Sequence, residues 1–99
     1  MPTFKQLMQQ EKPVLIDVFA DWCGPCKALA PTIKQVKQKV GDRAFVIKVD
    51  IDKNQQFAAK HSIQGVPTLM LFKNGKLQWR QSGVLPEHQI MEKLNECMK

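Results

Sequence analysis

The sequence predicts an α/β fold, a mixed and mostly four-stranded central sheet with helices on both faces. Three observations predict it. Residues 14–20 (VLIDVFA) and 44–50 (AFVIKVD) are near-continuous apolar runs, the pattern of strands covered on both faces. A segment of helical period separates them, so the two strands are joined by a crossover and lie parallel. Further on, residues 68–73 (TLMLFK) and 77–82 (LQWRQS) flank Asn74-Gly75-Lys76, and Asn-Gly is the strongest short hairpin signal, so this pair is antiparallel.

Each element follows in order. Thr3 can cap a short helix carrying Phe4, Leu7 and Met8, which Lys12-Pro13 ends. Residues 14–20 then deliver the chain to Trp22 and Cys23. From Pro25 to Val40 the apolar positions Leu29, Ile33, Val36 and Val40 recur at helical spacing, and Gly41 stands where a positive φ closes a helix. Pro31 lies inside this segment and removes a backbone donor, so a kink is expected near residues 28–31. Residues 44–50 read as a second buried strand with Lys48 an unexpected charge within it. Asp52 or Asn54 can cap a shorter helix holding Phe57 and Ala58, which gives out near His61 and Ser62. After the hairpin, Gly83 breaks the last strand and Pro86 opens a final helix with Ile90, Met91, Leu94, Cys97 and Met98 on one face.

Ninety-nine residues, 43% of them hydrophobic, make one domain over residues 1–99 with a core that needs no disulfide scaffold. Three cysteines, one close pair and one distant, read as a reactive pair in a reducing compartment. No signal peptide and no run long enough to cross a membrane is visible, so a cytoplasmic, soluble protein is expected. The net charge of +6 raises nucleic acid as a partner, but the lysines interleave with helical apolar positions and no arginine-rich run or nucleic-acid motif accompanies them. Neither nucleic acid nor membrane is expected as a partner.

The chemistry gathers at Trp22-Cys23-Gly24-Pro25-Cys26. If this stretch opens a helix, Cys23 and Cys26 stand one turn apart, within the Cα separation a disulfide tolerates. Pro25 suits the first turn because its φ is helical and its missing N–H would be unpaired there. The helix start favours a Cys23 thiolate, whereas Cys26, one turn inside, should be the more buried thiol. Cys23 then attacks a substrate disulfide and Cys26 resolves the mixed disulfide. Asp17, an acid within an apolar strand, is the candidate proton acceptor for Cys26, with burial raising its pKa. Lys48 can moderate that shift; the plainer reading of Asp17 and Lys48 is a buried ion pair without catalytic duty. A cis Val66-Pro67 bond would expose backbone groups of Val66 to a substrate strand. Cys97 reads as a buried inert thiol, and His61 and His88 as isolated and exposed. One C-x-x-C supplies too few ligands for zinc, so no metal is expected.

Asp17, Ala20, Trp22-Cys23-Gly24-Pro25-Cys26-Lys27, Pro31, Lys48-Val49-Asp50, Val66-Pro67-Thr68, Phe72-Lys73-Asn74-Gly75 and Gly83 fall in order along the chain. On these residues it resembles the thioredoxin family, and the Trp-Cys-Gly-Pro-Cys string is highly specific. The resemblance implies the thioredoxin fold and a protein disulfide reductase that binds no cofactor. It implies recycling by an NADPH-dependent thioredoxin reductase, which with disulfide-containing proteins would be its partner; a monomer is expected. It assigns Cys23 as nucleophile, Cys26 as resolving thiol, Asp17 as proton acceptor and Pro67 as cis. It also implies an apolar substrate surface of Trp22, Gly65, Val66, Pro67, Gly83 and Val84, to which Gly24 and Pro25 of the motif belong. The chain departs from the family at Phe19, where many members carry Trp, and in lacking the extra strand before the first helix. The alternative function is a binding module that docks a partner independently of redox state.

Overall fold

The computed structural model describes residues 4–98, and the proposed Thr3 cap lies outside them. The order is α1 (Phe4–Met8), β1 (Val14–Phe19), α2 (Gly24–Val40), a 3₁₀ turn (Gly41–Arg43), β2 (Phe45–Asp50), α3 (Gln55–Lys60), β3 (Thr68–Lys73), β4 (Lys76–Ser82) and α4 (Glu87–Cys97). The apolar run in β1 has no polar face to show to water, so it takes the centre of the sheet. The strands order β2-β1-β3-β4, with β1 parallel to β2 and antiparallel to β3, and β3 antiparallel to β4.

Alternation along β1 and β3 feeds two cores. Leu15, Leu69 and Leu71 point to the face covered by α2 and α4, where they meet Leu29, Ile33, Val36, Ile90 and Leu94. Val14, Ile16, Val18, Met70 and Phe72 point to the other face, against Phe57 of α3 and Ile63. The layered α/β architecture expected from the sequence is therefore present. Among the described residues the sheet has four strands.

Local chemistry sets the boundaries. Cys23 is the N-cap of α2, Pro25 sits in its first turn, and Gly41 closes it with φ +56 and its N–H on the Lys37 carbonyl. Pro31 lies within a single α-helical span rather than dividing it. The hairpin closes in two residues, one fewer than expected: Asn74 and Gly75 have φ of +55° and +78°, both positive as a twisted two-residue turn requires, and Lys73 pairs with Lys76.

β2 corrects one expectation. It is an edge strand, half-buried, with Val49 its one buried residue and Lys48 exposed. Its apolar residues pack on both faces, Val46 against one core and Phe45, Ile47 and Val49 against the other, but it has one strand neighbour; with no strand on its outer side, the complete burial of β1 is out of reach. No helix among the described residues is long and apolar enough to cross a membrane.

The fully buried Leu71 stands in the core beneath α2 and α4. Leu71→Ala is expected to cost about 2–5 kcal/mol by transfer and cavity terms, read as a lower urea midpoint with an unchanged slope. A loss below about 1 kcal/mol would show that this layer collapses around the gap.

Candidate functional site

β1 ends at Phe19, and Ala20 to Trp22 carry the chain into α2, so the cysteine pair is held where a fully buried strand stops and a helix begins. Cys23 and Cys26 form a disulfide with Cα atoms 5.3 Å apart. The Cys26 N–H donates to Cys23 Sγ at 3.1 Å, which is the bond an N-cap side chain accepts from the third residue of its helix. A helix start thus presents an N–H and the positive end of its dipole to one sulfur of the pair and not to the other.

Burial does not separate the two cysteines as expected. In the disulfide Cys23 is 4% exposed and Cys26 7%. The bridge draws both sulfurs inward against Ala20, Phe19, Ile51 and Val66, and the asymmetry between them lies in the hydrogen bond. Gly24 and Pro25 are exposed beside them, and a Cβ at Gly24 would meet nothing within 4 Å.

Three further segments surround the bridge. Trp22 is 71% exposed, yet its indole N–H donates to Asp52 Oδ2 at 2.9 Å. The Val66–Pro67 bond is cis, and the Val66 carbonyl lies 3.7 Å from Cys23 Sγ. Gly65 and Val84 are exposed and Val66 half-buried, while Pro67 is buried. Gly83, with φ +102, donates its N–H to the Pro67 carbonyl at 2.9 Å, so the loop before β3 and the end of β4 are joined. Trp22, Gly65, Val66, Gly83 and Val84 thus come from three segments that meet where Cys23 Sγ approaches the Val66 carbonyl and the Gly83 N–H bonds the Pro67 carbonyl, while Trp22 is tied to Asp52 outside them. Asp52 was read as a helix cap. Its bond to Trp22 spans thirty positions, and no local pattern announces it.

Asp17 lies on the β1 face that α2 covers, two residues beyond Leu15. It is 2% exposed, and Oδ1 has no hydrogen-bond partner among the described residues. Burial pushes its carboxyl from the ordinary 3.8 up to about 6, against the opposing pull of Lys48. Lys48 is the register partner of Asp17 across β1 and β2. The two form no ion pair; the Lys48 ammonium stands 4.7 Å from the Phe19 ring centroid. The buried-pair reading is therefore corrected: on an edge strand Lys48 keeps its charge in water and acts on Asp17 through space. A small cavity of about 150 Å³ beside them is lined by Phe19, Ala20, Asp21, Cys26, Lys27, Ala30 and Lys48, so the Cys26 side of the bridge opens toward the lysine.

Two expectations away from this site also change. His61 is half-buried, its ring 4.4 Å from Phe57 and 5.7 Å from Phe72, because the end of α3 turns it inward. Cys97 is half-buried rather than buried, since it falls in the last turn of α4 where the core thins; burial still pushes its thiol up. His88 is exposed as expected. Among the described residues no three His, Cys, Asp or Glu side chains gather to hold a metal.

Comparison with known proteins follows the same lines. The family model Thioredoxin matches residues 2–96. Thioredoxin 1 of Chlorobaculum tepidum is 45% identical over 84 residues, covering 85% of this chain and 83% of that protein. Thioredoxin Y, chloroplastic, of Oryza sativa is 38% identical over 98% of this chain, which spans only 58% of that relative's length. The crystal structure of Malassezia sympodialis thioredoxin superposes with a TM-score of 0.88 at 32% identity, over 97% of this chain and 84% of that one.

The position of Asp17 makes stability depend on pH. Because its folded pKa is raised, the folded state keeps a proton that the unfolded state has lost, so stability falls as pH rises from about 4 to about 6 and then levels. The shift corresponds to about 3 kcal/mol. Asp17→Asn is expected to flatten this segment of the pH profile and to make the oxidised protein more stable than wild type at pH 7; denaturant midpoints between pH 3.5 and 8 check both. An unaltered profile in the variant would remove Asp17 as the titrating group.

Proposed function

The chain belongs to the thioredoxin family and is a dithiol–disulfide oxidoreductase, and we propose that it works in the reducing direction, on protein disulfides, with Cys23 as nucleophile and Cys26 as resolving thiol. The observation that carries the role split is the Cys26 N–H on Cys23 Sγ at the helix start, which favours an anion on Cys23. In the reduced protein the Cys23 thiolate attacks one sulfur of the substrate disulfide. A Cys23–substrate bond forms, the substrate bond breaks, and the departing substrate sulfur leaves as thiolate and takes a proton. Cys26 then loses its proton and attacks Cys23 sulfur, closing the intramolecular bridge and releasing the second substrate thiol. The substrate gains two electrons and the protein loses two.

Asp17 is proposed to take the Cys26 proton. A carboxyl held at about 6 is mostly ionised at pH 7 yet basic enough to accept a proton, which an ordinary carboxylate is not. Lys48 keeps burial from raising it further. The exposed Trp22, Gly65 and Val84 and the half-buried Val66 and Gly83, with Gly24 and Pro25 of the motif, form the proposed docking surface, where the backbone of Val66 pairs with an extended substrate segment. Two electrons from NADPH, passed by a thioredoxin reductase, would restore the dithiol, with no cofactor bound to this chain. A monomer in the cytoplasm, where thiols are kept reduced, is the setting in which this direction runs.

The binding-module alternative separates at once from this reading, since it requires no turnover. With dithiothreitol as reductant and a protein disulfide as substrate, wild type is expected to accelerate reduction and Cys23→Ser to give only the uncatalysed rate. Equal rates would sink the enzyme reading. Cys26→Ser is expected to accumulate a mixed disulfide through Cys23, seen as a mass adduct; an adduct at Cys26 in Cys23→Ser would reverse the roles.

Asp17→Asn is expected to slow release of the mixed disulfide by roughly the 10²–10⁴-fold that a positioned base contributes, and to leave its formation little changed. Rapid-quench trapping of the two steps measures this, and equal slowing of both would make Asp17 structural only.

A further inference from the structure

The turn that leads from α3 into the docking loop has a left-handed backbone at Ser62, φ +52. The Ser62 N–H bonds the Ala59 carbonyl at 3.2 Å and the Ile63 N–H the Ala58 carbonyl at 2.9 Å, the paired closure of a helix end for which glycine is the usual residue. Serine holds that conformation only against the steric cost a Cβ imposes. Two carbonyls at the end of this closure, those of His61 and Ser62, are taken by Arg80 of β4: one arm donates to His61 O, the other to Ser62 O at 3.0 Å. A planar guanidinium spans two adjacent carbonyls at once, and its charge also suits the negative end of the helix.

The next positions of β4 continue the same work. Ser82 donates its hydroxyl to Thr68 Oγ1 at 2.9 Å, while Thr68 donates to the Gly65 carbonyl at 2.7 Å. Gly83 donates to the Pro67 carbonyl. Residues 61–67 are therefore fastened at their start by Arg80 of β4, in the middle by Thr68 of β3, itself bonded to Ser82, and at their end by Gly83 just past β4. Arg80 holds the start, the point where a left-handed serine would otherwise relax.

We propose that Arg80 is a positioning residue for substrate docking: by fixing the His61–Ser62 turn it sets where Gly65 and Val66 stand beside Cys23, and so the affinity for protein disulfides, without touching substrate or sulfur. The proposal rests on the reading that Val66 receives the substrate backbone. A small disulfide needs the sulfurs but not an extended docking edge, so the two substrate classes separate this role from a loss of folding.

The test is steady-state reduction, by the chain with dithiothreitol, of a protein disulfide and of bis(2-hydroxyethyl) disulfide. Arg80→Ala is expected to raise KM for the protein disulfide about tenfold, the size of one charge-assisted hydrogen bond, with kcat little changed. The ratio of kcat/KM for the protein over the small disulfide falls accordingly. Arg80→Lys, which keeps the charge but not the fork, should fall between, and amide exchange at Ile63 to Val66 should quicken in Arg80→Ala. An unchanged ratio in Arg80→Ala, or equal losses on both substrates, overturns the proposal. Val66→Asp distinguishes the ways it can fail. If Val66→Asp lowers the ratio and Arg80→Ala does not, only the role of Arg80 falls; if neither lowers it, the docking reading falls as well.

Discussion

Complete burial of β1 is the constraint on which the rest of the molecule depends. Its run of apolar side chains is enclosed by β2 and β3 at its edges and by helices on its faces, and every residue from Val14 to Val18 is buried. Such a strand leaves room for an exposed site only where it ends. The chain leaves it at Phe19 and turns within four residues into α2, so Cys23 is placed between the end of a buried central strand and the start of the longest helix. The same burial gives Asp17 its raised pKa. A carboxyl in a strand with one wet face would stay an ordinary acid.

The parts that sequence made legible are those with a local cause. The strands β1 and β3, the Asn74-Gly75 turn, the Cys23 cap and the Gly41 closure each rest on a few neighbouring residues, and the structure has them within a residue or two. Residues 45–50 were misjudged because an apolar run looks the same in an edge strand as in a central one. What decides is the number of neighbours, which is a property of the sheet order. The contact of the His61 ring with Phe72 and the Asp52 partner of Trp22 are hidden for the same reason: each closes over more than ten positions of chain.

β4 shows how an exposed strand can matter to a site it does not line. It is the outer strand, and none of its side chains is buried. Its value lies in its pairing with β3, which puts Arg80, Ser82 and Gly83 beside the segment that runs from α3 to Pro67. That segment has no regular structure to hold itself up. It borrows rigidity through hydrogen bonds to its own carbonyls, which leaves its outer surface open.

The ammonium of Lys48 over the ring of Phe19 has a kinetic meaning as well as an electrostatic one. Were the lysine clasped to the Asp17 carboxylate, every protonation of that acid would part an ion pair and oblige the long lysine side chain to find a new rotamer. Resting on an aromatic face, the cation is not tied to that acid, so a change in the charge of Asp17 breaks no ion pair with Lys48.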